Sequence, residues 1–418
     1  MADTSGIIKS LQKDIDRLKQ DMDAMRIQID FANQRNYMYQ KMLSHYILTA
    51  YYDREQSDLN ILDALKNASD IMINRDMQPL MDSDGTFKKY LHCLTDASIR
   101  DFPYRSNSLH FDMAMIFGLK DIYENARLIL SAKEHHRPVI FFEGGSLLSV
   151  LPPSQNNYPE KYRWFHSMVM DQRSMYFDAN HVSDLEIMLN SPMELRENQI
   201  HRAKMLMDKI VSNKISKYNH QPICQIEYDK TKERILIVDQ MWGDASISYG
   251  LATDDVFHKM LEDAVRDNPQ AEILIKTHPE ANHTRKRKHF DFEHDAFIQQ
   301  HGVQKIDYDL NPYSLLETVD KVYVCTSQLG LEALMAGKEV HVYGMPFYAG
   351  WGATVDELHL DRRTRKRTVE EIVYIFYVMY MKCVSYKTDQ LCTPEQAISE
   401  LICLREEFFH DARRTIDD

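Results

Sequence analysis

The chain has 418 residues, 44% of them hydrophobic and 27% charged, and its 50 basic against 63 acidic side chains leave a formal net charge of −13. That length exceeds one ordinary core and suits an extended helix followed by two α/β domains, while the acidic balance excludes a general affinity for nucleic acid or anionic lipid. Six cysteines without a C-x-x-C pair or regular spacing suggest neither a zinc site nor a disulfide framework, and a reducing cytoplasm fits them best. No apolar run reaches signal-peptide or membrane-spanning length, which limits any membrane contact to a peripheral one at the inner face of the cytoplasmic membrane.

In chain order, Ile8, Leu11, Ile15, Leu18, Met22, Met25, Ile29 and Ala32 recur at alternating steps of three and four. This heptad seam predicts a coiled coil over residues 5–52 and, through it, a homo-oligomer. Residues 53–228 are expected to hold a helical region and a Rossmann-like acceptor domain. There, helical periodicity runs from Leu59 to Ile73, an amphipathic helix spans Leu119 to Lys133, and the β run Val139 to Phe142 ends in Glu143-Gly144-Gly145-Ser146. A further unit covers Ser167 to Ala179 and the helical stretch from Ser183, before a helix over Ala203 to Ile215.

Residues 229–367 read as a second Rossmann-like domain. Strands at Ile235 to Val238, Ile273 to Ile275, Val322 to Cys325 and Val340 to Tyr343 alternate with helices at Val256 to Val265, Ser314 to Val319 and Leu329 to Ala336. Such alternation predicts a parallel sheet with right-handed crossovers. Residues 368–418 read as helices that close the domain or cross back to the first.

Three strand ends in the second half carry polar residues that a plain core would not need. The first is followed by Asp239 to Ser246, with Gln240, Asp244 and Ser246; the second by Lys276-Thr277-His278-Pro279; the third by Thr326-Ser327-Gln328 with Glu332 three residues into a helix. Each has an ordinary structural explanation: Asp244 and Ser327 are normal helix caps, and His278 suits a hydrogen-bonded loop. Together, at the carboxyl ends of strands in one sheet, they predict a nucleotide or sugar-phosphate crevice. Gly344 to Gly352, with Tyr348 and Trp351, has the aromatic and glycine content of a loop flanking a base or sugar, or of simple loop packing. The basic runs Arg285 to His289 and Arg362 to Arg367 read as solvated loops, with attraction of an anionic acceptor or lipid headgroup as the alternative.

Val238-Asp239-Gln240 through Gly243-Asp244-Ala245-Ser246 resembles the Q-x-x-x-D-x-S loop of bacterial capsule polysaccharide biosynthesis/export proteins that act as retaining β-Kdo transferases. Asn268 to Glu272 leading into Lys276-Thr277-His278-Pro279, then Thr326-Ser327-Gln328 with Glu332, then Pro346 to Gly352 are similar to that family in the same order, and Tyr176 to Ala179 and Ile215 to Asn219 extend the similarity upstream. The resemblance implies a GT-B fold of two Rossmann-like domains, CMP-Kdo as donor substrate, a saccharide or glycolipid acceptor and no metal. It implies Asp244 as nucleophile, His278 at the donor phosphate, and Ser327 and Glu332 at the phosphate and ribose, with Gln240, Ser246, Lys276, Thr326, Gln328, Tyr348 and Trp351 around the donor. Glu143, ending a first-domain strand, is the positional candidate for the acid/base. The family's Glu-Asp-Gly and Arg-Ser are here Glu143-Gly144-Gly145 and Leu148-Ser149, which directs the expected difference to the acceptor side. Competing expectations are another nucleotide sugar, a GT-B-like nucleotide-sugar epimerase, and an inactive carbohydrate-binding scaffold of capsule export.

Overall fold

The computed structural model describes residues 59–417 apart from 75–85, 103–109, 120–122, 154, 156, 278–287 and 291–293. The coiled-coil expectation over 5–52, and the oligomer that follows from it, therefore lie outside the described residues. Two sheets dominate. The first contains β1 (Asp70–Ile73), β2 (Ser98–Asp101), β3 (Met113–Phe117), β4 (Val139–Gly144), β5 (Ser167–Asp171), β12 (Lys382–Val384) and β13 (Leu391–Cys392), in the order β13-β12-β5-β4-β3-β1-β2. The second contains β6 (Arg234–Val238), β7 (Glu272–Lys276), β8 (Gln304–Ile306), β9 (Lys321–Val324), β10 (Glu339–Val342) and β11 (Val355–Asp356), in the order β11-β10-β9-β6-β7-β8.

The second sheet is parallel throughout. Its central strand, Arg-Ile-Leu-Ile-Val, is buried at every position, as a strand covered by helices on both faces must be. From β6 the chain adds β7 and β8 on one side, then returns to add β9, β10 and β11 on the other. This reversal opens a crevice beyond the carboxyl ends of β6 and β9.

The first sheet is parallel from β2 to β4, but β5, β12 and β13 run antiparallel to their neighbours. Two expectations are corrected here. The helical pattern from Leu59 to Ile73 splits into a helix at Ile61–Asn67 and strand β1, because Asp70–Ile73 pairs on both sides and is nearly all buried. The 368–418 segment is not helical alone: after a short helix (Val369–Val373) and a π-helix (Tyr374–Tyr380), β12 and β13 extend the first sheet before the terminal helix Pro394–Asp417. A local pattern does not show that Lys382 and Cys383 meet Met168 and Ser167 some two hundred residues away. The result is a GT-B layout, with two α/β units facing each other across a cleft.

Candidate active site

The cleft has a volume of about 500 Å³, within the range of small-molecule sites, and both sheets contribute to its walls. On the second-sheet wall, Gln240 ties the ends of β6 and β9 together. Its Oε1 accepts the Thr326 amide at 2.9 Å, and its Nε2 donates to the Thr326 hydroxyl at 3.0 Å and the Ser246 hydroxyl at 3.3 Å. Gln240, Ser246 and Thr326 thus form the floor as one hydrogen-bonded unit. The chain then turns at Gly243, whose φ of +74° lies in the left-handed region that favours glycine. Asp244 follows as the N-cap of helix Ala245–Tyr249, its Oδ1 accepting the Ser246 amide at 2.9 Å. The capping bond fixes the carboxylate's direction at the cleft wall.

At the end of β7, Lys276 lies 8% exposed, with its ammonium donating to the carbonyls of Tyr308 at 3.0 Å and Thr277 at 3.2 Å. Burial outweighs the opposing charges of Asp309 and Asp307 and lowers its pKa to about 8. Beyond β9, Ser327 accepts the Leu329 amide, Gln328 donates to the Ser146 hydroxyl of the first half, and Glu332 accepts from the Ser216 hydroxyl at 2.7 Å. Burial raises the Glu332 carboxyl to about 7, against the pull of Ser216 and Lys217. Its Oε2 and the Oδ2 of Asp239 are buried in the cleft wall without a hydrogen-bond partner among the described residues.

The first-half wall carries Glu143 on β4, Tyr176, and the Ser216-Lys217-Tyr218 turn. Lys217 feels Tyr218, Tyr176, Glu143 and Asp244 strongly enough that its pKa is raised although burial works the other way. Glu143 and Asp244, from the two halves, line one cleft together with Lys217. Sequence reasoning did not assign Lys217, Ser216 and Tyr176 to the site; the signal was their place in the two upstream stretches, Tyr176 to Ala179 and Ile215 to Asn219, that resemble the family.

Other expected site residues sit elsewhere. Trp351 is 1% exposed, donates to the Phe347 carbonyl at 2.7 Å and lies under the Arg363 guanidinium, so it is core and does not face the donor. Tyr348 does line the cleft, but its hydroxyl is committed to the Ser327 carbonyl and its ring packs where only glycine fits at 330. The Arg362 to Arg367 run is a loop solvated only in part: Thr364 and Lys366 are exposed, while three of its arginines are engaged inside the protein. Arg362 and Arg363 bind Glu186, Arg363 also donates to the Pro346 and Ala349 carbonyls, and Arg367 donates to those of Leu189, Met193 and Ser191. His278 and the run from Arg285 to Arg287 lie outside the described residues. His289 stacks on Phe257 at 3.7 Å between ring centroids and bonds Asp254 and the Gln240 carbonyl.

Protonation of Glu332 gives a testable stability signature. Between roughly 4.5 and 7 the folded protein keeps a proton that the unfolded chain releases, so stability falls as pH rises through that window. Glu332→Gln is expected to raise stability at pH 8 by about 2 kcal/mol, read as a melting shift of several degrees, while changing the affinity of whatever ligand the cleft takes. An unchanged melting temperature together with unchanged affinity would remove Glu332 from the site.

Residues 112–388 match the family model described as capsule polysaccharide biosynthesis protein. The capsule polysaccharide modification protein LipA of Neisseria meningitidis serogroup A is 34% identical over 277 residues, which are 65% of this chain and 38% of that protein. The lipopolysaccharide-processing protein LpsZ of Rhizobium meliloti is 36% identical over 226 residues, 52% of this chain and 50% of that protein. The chain thus spans half or less of the length of these curated relatives. Among solved structures, the Thermosulfurimonas dismutans KpsC beta Kdo 2,4 transferase superposes with a TM-score of 0.68 at 31% identity, covering 80% of this chain and 98% of that one. The KpsC beta Kdo 2,7 transferase of the same organism gives 0.56 at 22% identity over 80% of this chain and 99% of that one, a likeness of fold.

Proposed function

From its place in the capsule polysaccharide biosynthesis protein family, to which the chain belongs, we propose that it is a retaining glycosyltransferase moving Kdo from CMP-Kdo to a saccharide or glycolipid acceptor. The observation that carries this reading is the pair of carboxylates, Asp244 and Glu143, brought to one cleft from opposite sheets around Lys217.

In the first displacement an Asp244 oxygen bonds to the anomeric carbon as the bond from that carbon to the CMP phosphate breaks, and CMP leaves with the electron pair. In the second, an acceptor hydroxyl gives its proton to Glu143 and attacks the same carbon, releasing Asp244. Two inversions retain configuration. Lys276 and the Ser327 segment border the space where the departing phosphate would sit, and Glu332 and Asp239 line the same cleft on the nucleoside side. His278 is assigned to the phosphate by motif. This chemistry requires no metal, and the site would operate on the cytoplasmic side, where the protein meets any membrane peripherally.

Incubation with CMP-Kdo and with UDP-sugars separately tests the reading. CMP release, with a covalent gain of one Kdo in the intact mass, is the expected result; consumption of a UDP-sugar with CMP-Kdo untouched rejects it, and isomerisation of a donor without acceptor points to an epimerase.

Lys276 adds a pH test. A phosphate at this site favours its charged form, so below about pH 8 the cation is already present and above it binding must take up a proton. CMP affinity is expected to fall as pH rises through about 8, with proton uptake in calorimetry performed in two buffers, and both effects should vanish in Lys276→Met.

A further inference from the structure

Lys217 is held in a way that ordinary packing does not require. Its carbonyl accepts the Ser149 amide at 3.2 Å, and Asn219 locks the turn around it, accepting the Ser216 amide at 3.0 Å and donating to the carbonyls of Ser149 and Ser216 at 3.0 and 2.9 Å. The side chain leaves this turn into the cleft, its ammonium 5.9 Å from the Tyr218 ring centroid and within the field of Glu143 and Asp244. A cation fixed beside a nucleophile and an acid/base would suppress the basicity of both carboxylates if that were its whole effect. An acidic sugar changes the balance: Kdo carries a carboxylate on its anomeric carbon, so the attacking Asp244 must approach an atom that already bears an anion.

Resting on the transferase reading above, we propose that Lys217 is the counter-ion for the sugar's own carboxylate, which makes it the residue that restricts the donor to sugars with a carboxylate at the anomeric carbon. The seat is built before substrate arrives, so the pairing costs little reorganisation. Lys217 lines the same cleft as Glu143 and Asp244, in the turn whose Ser216 hydroxyl donates to Glu332 at 2.7 Å.

The test compares wild type with Lys217→Gln and Lys217→Arg. CMP alone should bind all three alike within about twofold, which also controls for folding, whereas kcat/KM for CMP-Kdo should fall about a hundredfold in Lys217→Gln and recover partly in Lys217→Arg. Free Kdo should inhibit wild type at least about tenfold better than its methyl ester, and Lys217→Gln should erase that preference. Retention of the acid-over-ester preference in Lys217→Gln, an unchanged kcat/KM, or an equal loss of CMP binding overturns the assignment. A wild type that consumes a neutral nucleotide sugar overturns it together with the Kdo reading; one that consumes a different carboxylated sugar overturns only the Kdo reading, and the same comparison is then run with that donor.

Discussion

Replacing Asp244 with asparagine is expected to lower transfer from CMP-Kdo by about 10⁴-fold or more, with no covalent Kdo adduct in the intact mass. The choice of asparagine separates chemistry from folding. Asp244 has a second job as the N-cap of helix Ala245–Tyr249, and asparagine caps about as well as aspartate, so the Ser246 amide keeps its acceptor and the loop its shape. What is lost is the negative charge that attacks the anomeric carbon. Asp244→Ala removes both functions and should add about 1 kcal/mol of instability to the same loss of activity. CMP binding should survive in Asp244→Asn. If that variant transfers Kdo at more than about a tenth of the wild-type rate, the nucleophile lies elsewhere.

The second large effect concerns stability. Arg363 is 6% exposed and spreads its guanidinium over Glu186 at 3.0 Å and the carbonyls of Pro346 and Ala349, both at 2.7 Å, while lying over the Trp351 ring. Glu186 sits on helix Asp184–Asn190 of the first half, whereas the two carbonyls belong to the loop after β10, so one side chain fastens the halves together. Arg363→Met leaves a buried carboxylate with a weaker partner and two carbonyls without donors. A loss of about 3–5 kcal/mol is expected in urea unfolding. Arg365→Met, which breaks a more exposed pair with Glu194, should cost no more than about 1 kcal/mol. Equal costs for the two would show that the clamp contributes nothing special.

The contrast between Arg363 and Asp244 shows what the sequence makes legible. A strand that stops at a polar loop is a local signal, and the ends of β6, β7 and β9 were readable because each lies in a few consecutive residues beside an apolar run. Gln240, Asp244, Ser246, Lys276, Thr326, Ser327, Gln328 and Glu332 all line the cleft for that reason. Glu143 was found by the same rule on β4. Arg363 and Trp351 were misread because their partners are set by tertiary packing: composition gives a basic run and an aromatic loop, and only the fold reveals that the two neutralise one another's cost of burial. Lys217 escaped notice for a related reason. It lies in a turn with no periodic pattern around it, so the Ile215 to Asn219 resemblance marked the segment without giving the residue a role, which emerges when β4 and the Asp244 loop border the same cleft. The antiparallel β5 and the strands β12 and β13 were hidden by distance along the chain.

That last departure changes how the molecule divides. Because the chain passes from the first sheet into β6 and, after β11, returns through the π-helix at Tyr374–Tyr380 to β12, the entire half built on the second sheet is one uninterrupted stretch spliced into the other. It can be exchanged as a cassette by joining two points, whereas the half bearing Glu143 and Lys217 exists only when both ends of the polypeptide come together. The Asp244, Lys276 and Ser327 loops are therefore replaceable together by transplanting a contiguous block, but changes around Glu143 and Lys217 must be made by substitution in place.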